Sequence, residues 1–248
     1  LKAASYIVPI NEHLPVCSHD PDLFRLDERG IMTYDDGEIP TYFGVDVSSW
    51  QGDVDWETLR EEGVYFAFIR AGYRGYESGA LNEDKKFRDN IEGAIRAGIK
   101  VGVYFFSQAL DADEAYEEAN FVLEMIRGYD VSFPVVFDWE TVSSATARTK
   151  NIETEKLCEA ANVFCNTVAE AGYIPMVYCN QNVSLLYYEL SRIQAYDFWY
   201  AEYKSKPTFY YDFDIWQYGA TGHLKGVPNA DVDVNISFVD YSQKKPQN

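Results

Sequence analysis

Residues 135–140 read Val-Val-Phe-Asp-Trp-Glu, and this stretch decides the fold that we expect. Its β-branched and aromatic residues predict a strand. Side chains on a strand alternate between two faces, so Asp138 and Glu140 share a face. The polar residues 141–144 predict that the strand ends directly after them. Two carboxylates on one face at the end of a strand are typical of the active-site end of an α/β barrel.

Seven other short apolar segments resemble this strand in composition. The predicted strands are 42–48, 64–71, 100–107, 133–140, 173–180, 197–203, 212–218 and 230–236. Amphipathic segments at 56–62, 82–97, 113–127, 153–171 and 182–190 predict helices, and none separates the last three strands. Alternating strands and helices predict a parallel sheet. Eight strands in 248 residues predict its closure, so we expect an α/β fold, an irregular TIM-like (β/α)5β3 barrel in a single domain.

Residues 1–41 differ from the rest of the chain. They contain four prolines and several acidic residues, and they show no sustained periodicity. We interpret them as an N-terminal extension that packs on the catalytic domain, or as a linker, and the sequence does not choose between these. The catalytic barrel is expected to occupy residues 42–248.

The charge and the apolar pattern exclude several classes of partner. A formal net charge of −19 argues against nucleic acid, because binding a polyanion requires a basic surface. No apolar run reaches the eighteen or more residues of a membrane helix, so no membrane insertion of this chain is expected. We expect a monomer. The chain has twenty Tyr, fifteen Phe and five Trp, which could fill the core or stack on sugar rings.

No cofactor and no metal are expected. The three histidines, at 13, 19 and 223, are scattered, and the spacing of the four cysteines fits neither a zinc site nor a CxxC pair. Cys158 and Cys165 lie on one predicted helix, too far apart along its axis to form a disulfide. Most of the cysteines are interpreted as small buried apolar residues. A disulfide from Cys17 stays open.

Two further acids occupy positions that matter in a closed barrel. Asp46 lies near the end of the first strand, and Asp233 lies in the last strand. The first and eighth strands of a closed barrel are neighbours. These acids should therefore face Asp138 and Glu140 across the mouth, which is the open end of the barrel at the carboxyl ends of its strands. Acids at strand ends can also be simple solvated caps. However, carboxylates around a groove suit glycosidic bond cleavage, and crowding them raises at least one pKa.

Several ordered motifs resemble those of the glycoside hydrolase family 25 lysozymes, the Chalaropsis-type muramidases. They are Asp-Val-Ser-Ser-Trp-Gln-Gly at 46–52, Val-Asp-Trp at 54–56, Val-Gly-Val-Tyr-Phe-Phe at 101–106, Pro-Val-Val-Phe-Asp-Trp-Glu at 134–140, Asp-Ile-Trp-Gln-Tyr at 214–218 and Asp-Val-Asp-Val-Asn at 231–235. The resemblance covers about four-fifths of the chain and leaves out residues 1–41.

The resemblance implies hydrolysis of the β-1,4 bond between N-acetylmuramic acid and N-acetylglucosamine in bacterial peptidoglycan. It therefore also implies a protein that works outside the cell or at the cell wall. It implies that Glu140 is the catalytic acid, that Asp138 is its partner, and that Asp46 and Asp233 support them. Asp138 could assist the substrate's own acetamido group. Inversion through a water activated by Asp46 or Asp233 is the competing mechanism. We expect Asp138 and packing against rings to raise the pKa of Glu140.

The remaining candidates surround the expected groove. The candidate substrate-binding residues, each of which could equally pack in the core, are Arg70, Tyr104, Tyr178, Trp216 and Gln217. Arg70 could contact the substrate or pair with a catalytic Asp. Trp50 and Trp56 are expected to pack. The alternative functions are a chitinase-like hydrolase, whose longer DxxDxDxE pattern is absent before Glu140, and a non-catalytic wall-binding barrel.

Overall fold

The computed structural model describes residues 1–244, and eight of its strands close into a barrel. In chain order the barrel strands are β1 (Tyr42–Val47), β2 (Phe66–Arg74), β3 (Lys100–Ser107), β4 (Val131–Trp139), β5 (Pro175–Asn180), β6 (Asp197–Ala201), β7 (Ile215–Gly222) and β8 (Val232–Ser237). Closure follows because β1 pairs with both β2 and β8. The predicted irregular TIM-like barrel is confirmed.

One α-helix follows each of the first five strands. These helices are α1 (Trp56–Glu61), α2 (Phe87–Arg96), α3 (Ala112–Ile126), α4 (Thr154–Glu170) and α5 (Gln181–Leu186). Within residues 1–244 no α-helix follows β6, β7 or β8, which gives the (β/α)5β3 order. In the same part of the chain no helix is long and apolar enough to cross a membrane.

The last strand runs in the direction opposite to that expected. Strands β1–β7 are parallel to their neighbours, but β8 is antiparallel to both β7 and β1. The short connection 223–231 contains no crossover helix, so the chain turns back instead of returning to the other end. The start of β8 therefore lies beside the carboxyl end of β1.

A second difference concerns the predicted helix 82–97. Its first residues, Leu81–Glu83, instead form a short strand antiparallel to the end of β2, and α2 begins only at Phe87. Strand β2 extends to Arg74, beyond the predicted end, and pairs with this returning segment. The amphipathic stripe was thus correct for α2, whereas the hairpin before it carries no helical pattern.

The barrel interior is filled mainly by rings. Phe66 stacks on Phe133 with centroids 4.7 Å apart, and Phe68 stacks on Trp199 at 4.5 Å. Tyr241, in the final 3-10 turn Tyr241–Gln243, is 1% exposed and packs against Phe133. The end of the barrel at which the parallel strands begin is therefore a packed core, and polar groups concentrate at the end where these strands finish.

A separate apolar layer lies between the sheet and the helices. It includes Cys158, Cys165 and Cys179, which are buried, and all four cysteines are free thiols. Trp56 packs there as expected, with 6% of its surface exposed. Burial raises the pKa of the Cys179 thiol to about 12, so this thiol stays neutral.

Residues 1–41 pack on the outer side of the strands that have no helices. Their short elements are the strands Lys2–Ala3, Tyr6–Ile7, Phe24–Leu26 and Met32–Tyr34 and the 3-10 turn Pro21–Leu23. Phe24 packs edge-on against Trp216, with centroids 5.2 Å apart. The Met32 amide donates to the Tyr218 hydroxyl at 3.1 Å. This segment therefore covers apolar surface that helices cover elsewhere in the barrel.

Candidate active site

Four carboxylates gather at the carboxyl end of the parallel strands. Asp46 lies in β1, Asp138 lies in β4, and Glu140 directly follows β4. Asp233 lies at the start of β8 and is the register partner of Asp46. The antiparallel direction of β8 is what brings Asp233 to this end. The four groups share one neighbourhood, because the charges act on each other from both sides of the mouth.

Two side-chain amides hold the Asp46 carboxylate. Gln217 of β7 and Asn235 of β8 each donate an N–H to Asp46 Oδ2, and both distances are 2.8 Å. All three side chains are almost completely buried. Hydrogen bonds from fixed amides favour the charged form of a carboxylate and restrict its rotation.

Ring donors in turn fix the orientation of these amides. The hydroxyls of Tyr178 and Tyr203 donate to Gln217 Oε1 at 3.1 and 3.0 Å. Trp199 Nε1 donates to Asn235 Oδ1 at 2.8 Å. An indole N–H is only a donor, so Asn235 must present its oxygen to Trp199 and its amide nitrogen to the carboxylate. Each hydrogen bond of this network therefore has a defined donor and acceptor, and Asp46 is the final acceptor.

Burial raises the pKa of all four carboxyls. Repulsion from another of the four adds to this at Asp46, Asp138 and Glu140, whereas at Asp233 a hydrogen bond with Asp46 acts against it. The pKa of Asp46 lies well above its usual range through burial and then the charge of Asp233, which the amides oppose. The pKa of Asp138 is raised well above its usual range by burial, then Glu140, then Asp46, with Arg70 acting against them. Groups of this kind in a cleft suit acid–base chemistry near neutral pH.

Glu140 owes its raised pKa to burial first and to the charge of Asp233 second. Asp138 and Glu140 also repel each other, and this repulsion is the second cause, after burial, of the raised pKa of Asp138. Burial is also the first cause at Asp233, with Asp231 adding to it. The acid at the end of β4 is thus influenced from across the mouth.

The β4 side of the cluster has fewer hydrogen-bonding partners than the β1 side. Asp138 Oδ1 is buried and has no hydrogen-bond partner among the described residues. Glu140 is held through its backbone, because Gln108 Nε2 donates to its carbonyl oxygen at 3.0 Å. Gln108 is fully buried and accepts a 2.6 Å hydrogen bond from Thr149. A buried acceptor without a partner is costly, and a bound ligand could provide the missing donor.

The structure separates the five candidate substrate-binding residues into four groups. Tyr178 and Gln217 belong to the Asp46 network, and Tyr104 lies partly buried in the upper barrel against Trp199. Arg70 pairs with Asp84 at 2.7 Å, which corrects the suggestion that it pairs with a catalytic Asp. Trp216 is fully buried on the outward face of β7 and does not reach the mouth, because strand alternation puts its neighbour Gln217 inside.

Several residues of the site were not predicted. Asn235 was visible in the last motif, and its period-two spacing from Asp233 could have placed it on the inner face. Tyr203 and Asp84 come from loops, where no periodicity indicates direction. Trp50 was expected to pack, but 80% of its surface is exposed. Within residues 1–244 no group of three or more His, Cys, Asp or Glu side chains has the arrangement of a metal site.

Comparison with known proteins gives a consistent set of relatives. The model of the family described as glycosyl hydrolases family 25 matches residues 45–227. An autolytic lysozyme of Clostridium acetobutylicum is 27% identical over 77% of this chain and 54% of that protein, so this chain spans about half its length. Lysozyme M1 of Streptomyces globisporus is 27% identical over 84% of this chain and 71% of that protein. The structure of a family 25 glycosyl hydrolase from Bacillus anthracis has a TM-score of 0.68 and 26% identity, and the match covers 83% of this chain and 92% of that one.

Proposed function

Since this chain belongs to glycosyl hydrolase family 25, we propose that it is a peptidoglycan hydrolase, a lysozyme that cleaves between N-acetylmuramic acid and N-acetylglucosamine. The observation that supports this most is the gathering of Asp46, Asp138, Glu140 and Asp233 at one mouth, each with a raised pKa. The names of the two curated lysozymes point to the same activity. Its substrate would lie in the bacterial cell wall, so we propose that it works outside the cell.

Glu140 is the proposed proton donor to the leaving glycosidic oxygen. A donor must be protonated at the working pH, and the burial and Asp233 charge that raise its pKa favour the protonated form. Its backbone is tied to Gln108, which fixes where the side chain starts. This leaves the carboxyl itself to meet the glycosidic oxygen.

Asp138 is the proposed partner of the substrate's acetamido group. Its unpartnered Oδ1 can accept a hydrogen bond from the acetamido N–H. That hydrogen bond favours the ionised carboxylate, which then stabilises positive charge as the acetamido oxygen attacks the anomeric carbon. The two amides of Gln217 and Asn235 hold the Asp46 carboxyl in a fixed position nearby. Inversion through a water held by Asp46 or Asp233 is the competing mechanism, and the anomer formed first, read by NMR, separates the two.

The first test digests purified peptidoglycan and identifies the new reducing ends by mass. A muramic acid end supports the proposal, and a glucosamine end means that a different bond is cleaved. Chitin oligomers serve as the comparison substrate for a chitinase-like specificity. Binding to the wall without any new reducing end would instead favour a non-catalytic barrel.

The second test is Glu140→Gln, which keeps the size of the side chain and removes the proton that it donates. We expect the rate of reducing-end release to fall by roughly 10²–10⁴-fold, the usual contribution of a positioned acid. The matched control is Glu159→Gln on α4, whose carboxylate pairs with Lys156 at the surface. Circular dichroism should show both variants folded. Retention of most activity by Glu140→Gln would exclude Glu140 as the acid.

A further inference from the structure

Trp50 differs from every other tryptophan of the chain in its exposure. Its surface is 80% exposed, whereas Trp56, Trp139, Trp199 and Trp216 are at most 6% exposed. Single exposed apolar residues are common on protein surfaces, so exposure alone has no meaning. The position of Trp50 and the way its backbone is held distinguish it from such residues.

The 3-10 turn Ser49–Gln51 holds Trp50 through its own side chains. The Trp50 amide donates to Ser48 Oγ at 3.2 Å, and the Ser48 amide donates to Gln51 Oε1 at 2.9 Å. These reciprocal bonds form a capping box, which defines the start of the turn. The backbone that carries the exposed indole is therefore fixed locally.

The same turn is attached to the elements on both of its sides. Toward β2, the Ser49 amide donates to Asp84 Oδ2 at 3.1 Å, and Arg70 pairs with that same buried carboxylate. Toward β8, Gln51 Nε2 donates to the carbonyl oxygen of Asp231 at 3.2 Å. The Trp50 ring contributes little burial, so packing of this ring against the core does not explain why its turn is attached on both sides.

These attachments place the turn beside the carboxylates. Trp50 follows Asp46 by four residues along the chain, and Asp231 precedes Asp233 by two. Arg70, which braces the turn, lowers the pKa of Asp138 by its charge. The indole therefore stands on the rim of the mouth, between β2 and β8.

We propose that Trp50 is a sugar-binding residue that stacks on a pyranose ring of the glycan outside the cleaved bond. The inference rests on the proposed function, since its ligand is the same glycan. A pyranose presents C–H groups on a flat face, and an indole offers the largest apolar and π surface of any side chain. Because the turn is already rigid, little entropy is lost when the sugar docks.

Kinetics with long glycan strands tests this proposal. We expect Trp50→Ala to raise KM about tenfold with kcat within about twofold, since one aromatic anchor is lost and the reacting groups are unchanged. Trp50→Tyr should recover most of the affinity. The control is Tyr116→Ala, an exposed ring on α3 (56% exposed), which should match the unchanged protein. Unchanged KM in Trp50→Ala, no rescue by Tyr, or a loss confined to kcat would overturn the proposal.

A binding measurement separates this inference from the proposed activity. Glu140→Gln and Glu140→Gln/Trp50→Ala are sedimented with purified wall sacculi, and iodide quenching of tryptophan fluorescence is followed with soluble glycan. Glu140→Gln should bind the sacculi, and soluble glycan should reduce the iodide quenching of its fluorescence. Glu140→Gln/Trp50→Ala should bind about tenfold more weakly. If the unchanged protein cleaves the wall and the two variants bind equally, only the Trp50 proposal fails. If it releases no reducing ends, the proposed function fails, while the binding comparison still tests Trp50.

Discussion

The two sides of the mouth are built in opposite ways. On the β1 side, Asp46 is held by two amides that are themselves oriented by Trp199 and two tyrosines. On the β4 side, among residues 1–244, Asp138 has a buried oxygen without a partner, and Glu140 is held only through its backbone carbonyl. A completed network holds a carboxyl group in one orientation, and an incomplete one leaves atoms free for a ligand. The comparison assigns electrostatic support to the β1 side and contact with the reacting groups to the β4 side.

The largest effect expected from this contrast is at Asp138. Asp138→Asn removes the charge and keeps the shape, so we expect the rate of glycan cleavage to fall by roughly 10²–10³-fold. Stability should change in the opposite direction. The pKa of Asp138 is raised in the folded protein from a usual 3.8, so the folded state keeps a proton that the unfolded state releases. Its contribution therefore becomes more unfavourable as the pH rises above the unfolded value.

Thermal unfolding measures this second effect. At neutral pH Asp138→Asn should melt higher than the unchanged protein, by roughly 2–4 °C for each kcal/mol of relieved cost. The difference should disappear at a pH below the usual pKa of Asp, where both chains are neutral at this position. A variant that is less active and also less stable at neutral pH would mean that Asp138 is a structural anchor, and the contrast between the two sides would be lost.

An intermediate effect is expected from the support of Asp46. Gln217→Met keeps the length of the side chain and removes one hydrogen bond to the carboxylate. The Gln217 amide favours the ionised form of Asp46 against burial, and a hydrogen bond to a charged group contributes about 1.5–3 kcal/mol. We therefore expect kcat to fall roughly 10–100-fold, because the ionised form of Asp46 becomes less accessible. The rate of glycan cleavage by folded protein is the measurement.

The matched control for that variant is Tyr203→Phe. It removes one of two donors to Gln217 Oε1 and leaves the hydrogen bond between Gln217 and Asp46 in place. Its loss of kcat should be clearly smaller than that of Gln217→Met. Equal losses in the two variants would indicate that general loosening of the network, and not the charge of Asp46, causes the effect.

Sequence patterns predicted the strands well because the pattern of each strand lies within one short segment of the chain. The eight runs, the five helices after them and the shared face of Asp138 and Glu140 depend only on period-two or helical spacing within one segment. The outward position of Trp216 also follows from this spacing, once Gln217 is placed inside. A feature that one segment determines by its own pattern can therefore be predicted from the amino-acid sequence alone.

Barrel closure and the meeting of Asp46 with Asp233 were predicted, but other features that depend on two distant segments were not. The direction of β8 is set by how the connection 223–231 returns to β1, and Arg70 finds Asp84 through the hairpin before α2. Residues 1–41 lack periodicity because they are shaped by the strands that they cover, as Phe24 against Trp216 illustrates. We propose that this segment belongs to the folded unit of the barrel. Its contacts have no local signature in the amino-acid sequence.

The smallest expected effect tests whether a charge on the β1 side acts through space on the pKa of Glu140 on the β4 side. Asp233→Asn removes a charge that raises the pKa of Glu140, second only to burial. Without it the acid loses its proton at a lower pH. The alkaline limb of the kcat/KM profile, which reports the essential acid of the free enzyme, should therefore move to lower pH, with a modest change in rate at the optimum.

Asp231→Asn is the matched control for this shift. Asp231 lies two residues earlier, is exposed, and raises the pKa of Asp233 instead of acting on Glu140. Removing it lets Asp233 ionise more readily, so the alkaline limb should stay in place or move slightly to higher pH. A shift to lower pH in Asp233→Asn without the same shift in Asp231→Asn would mean that the charge of Asp233, across the mouth, raises the pKa of Glu140. Equal shifts to lower pH would reduce the effect to the net charge of the protein, and the electrostatic role given to the β1 side would have to be abandoned.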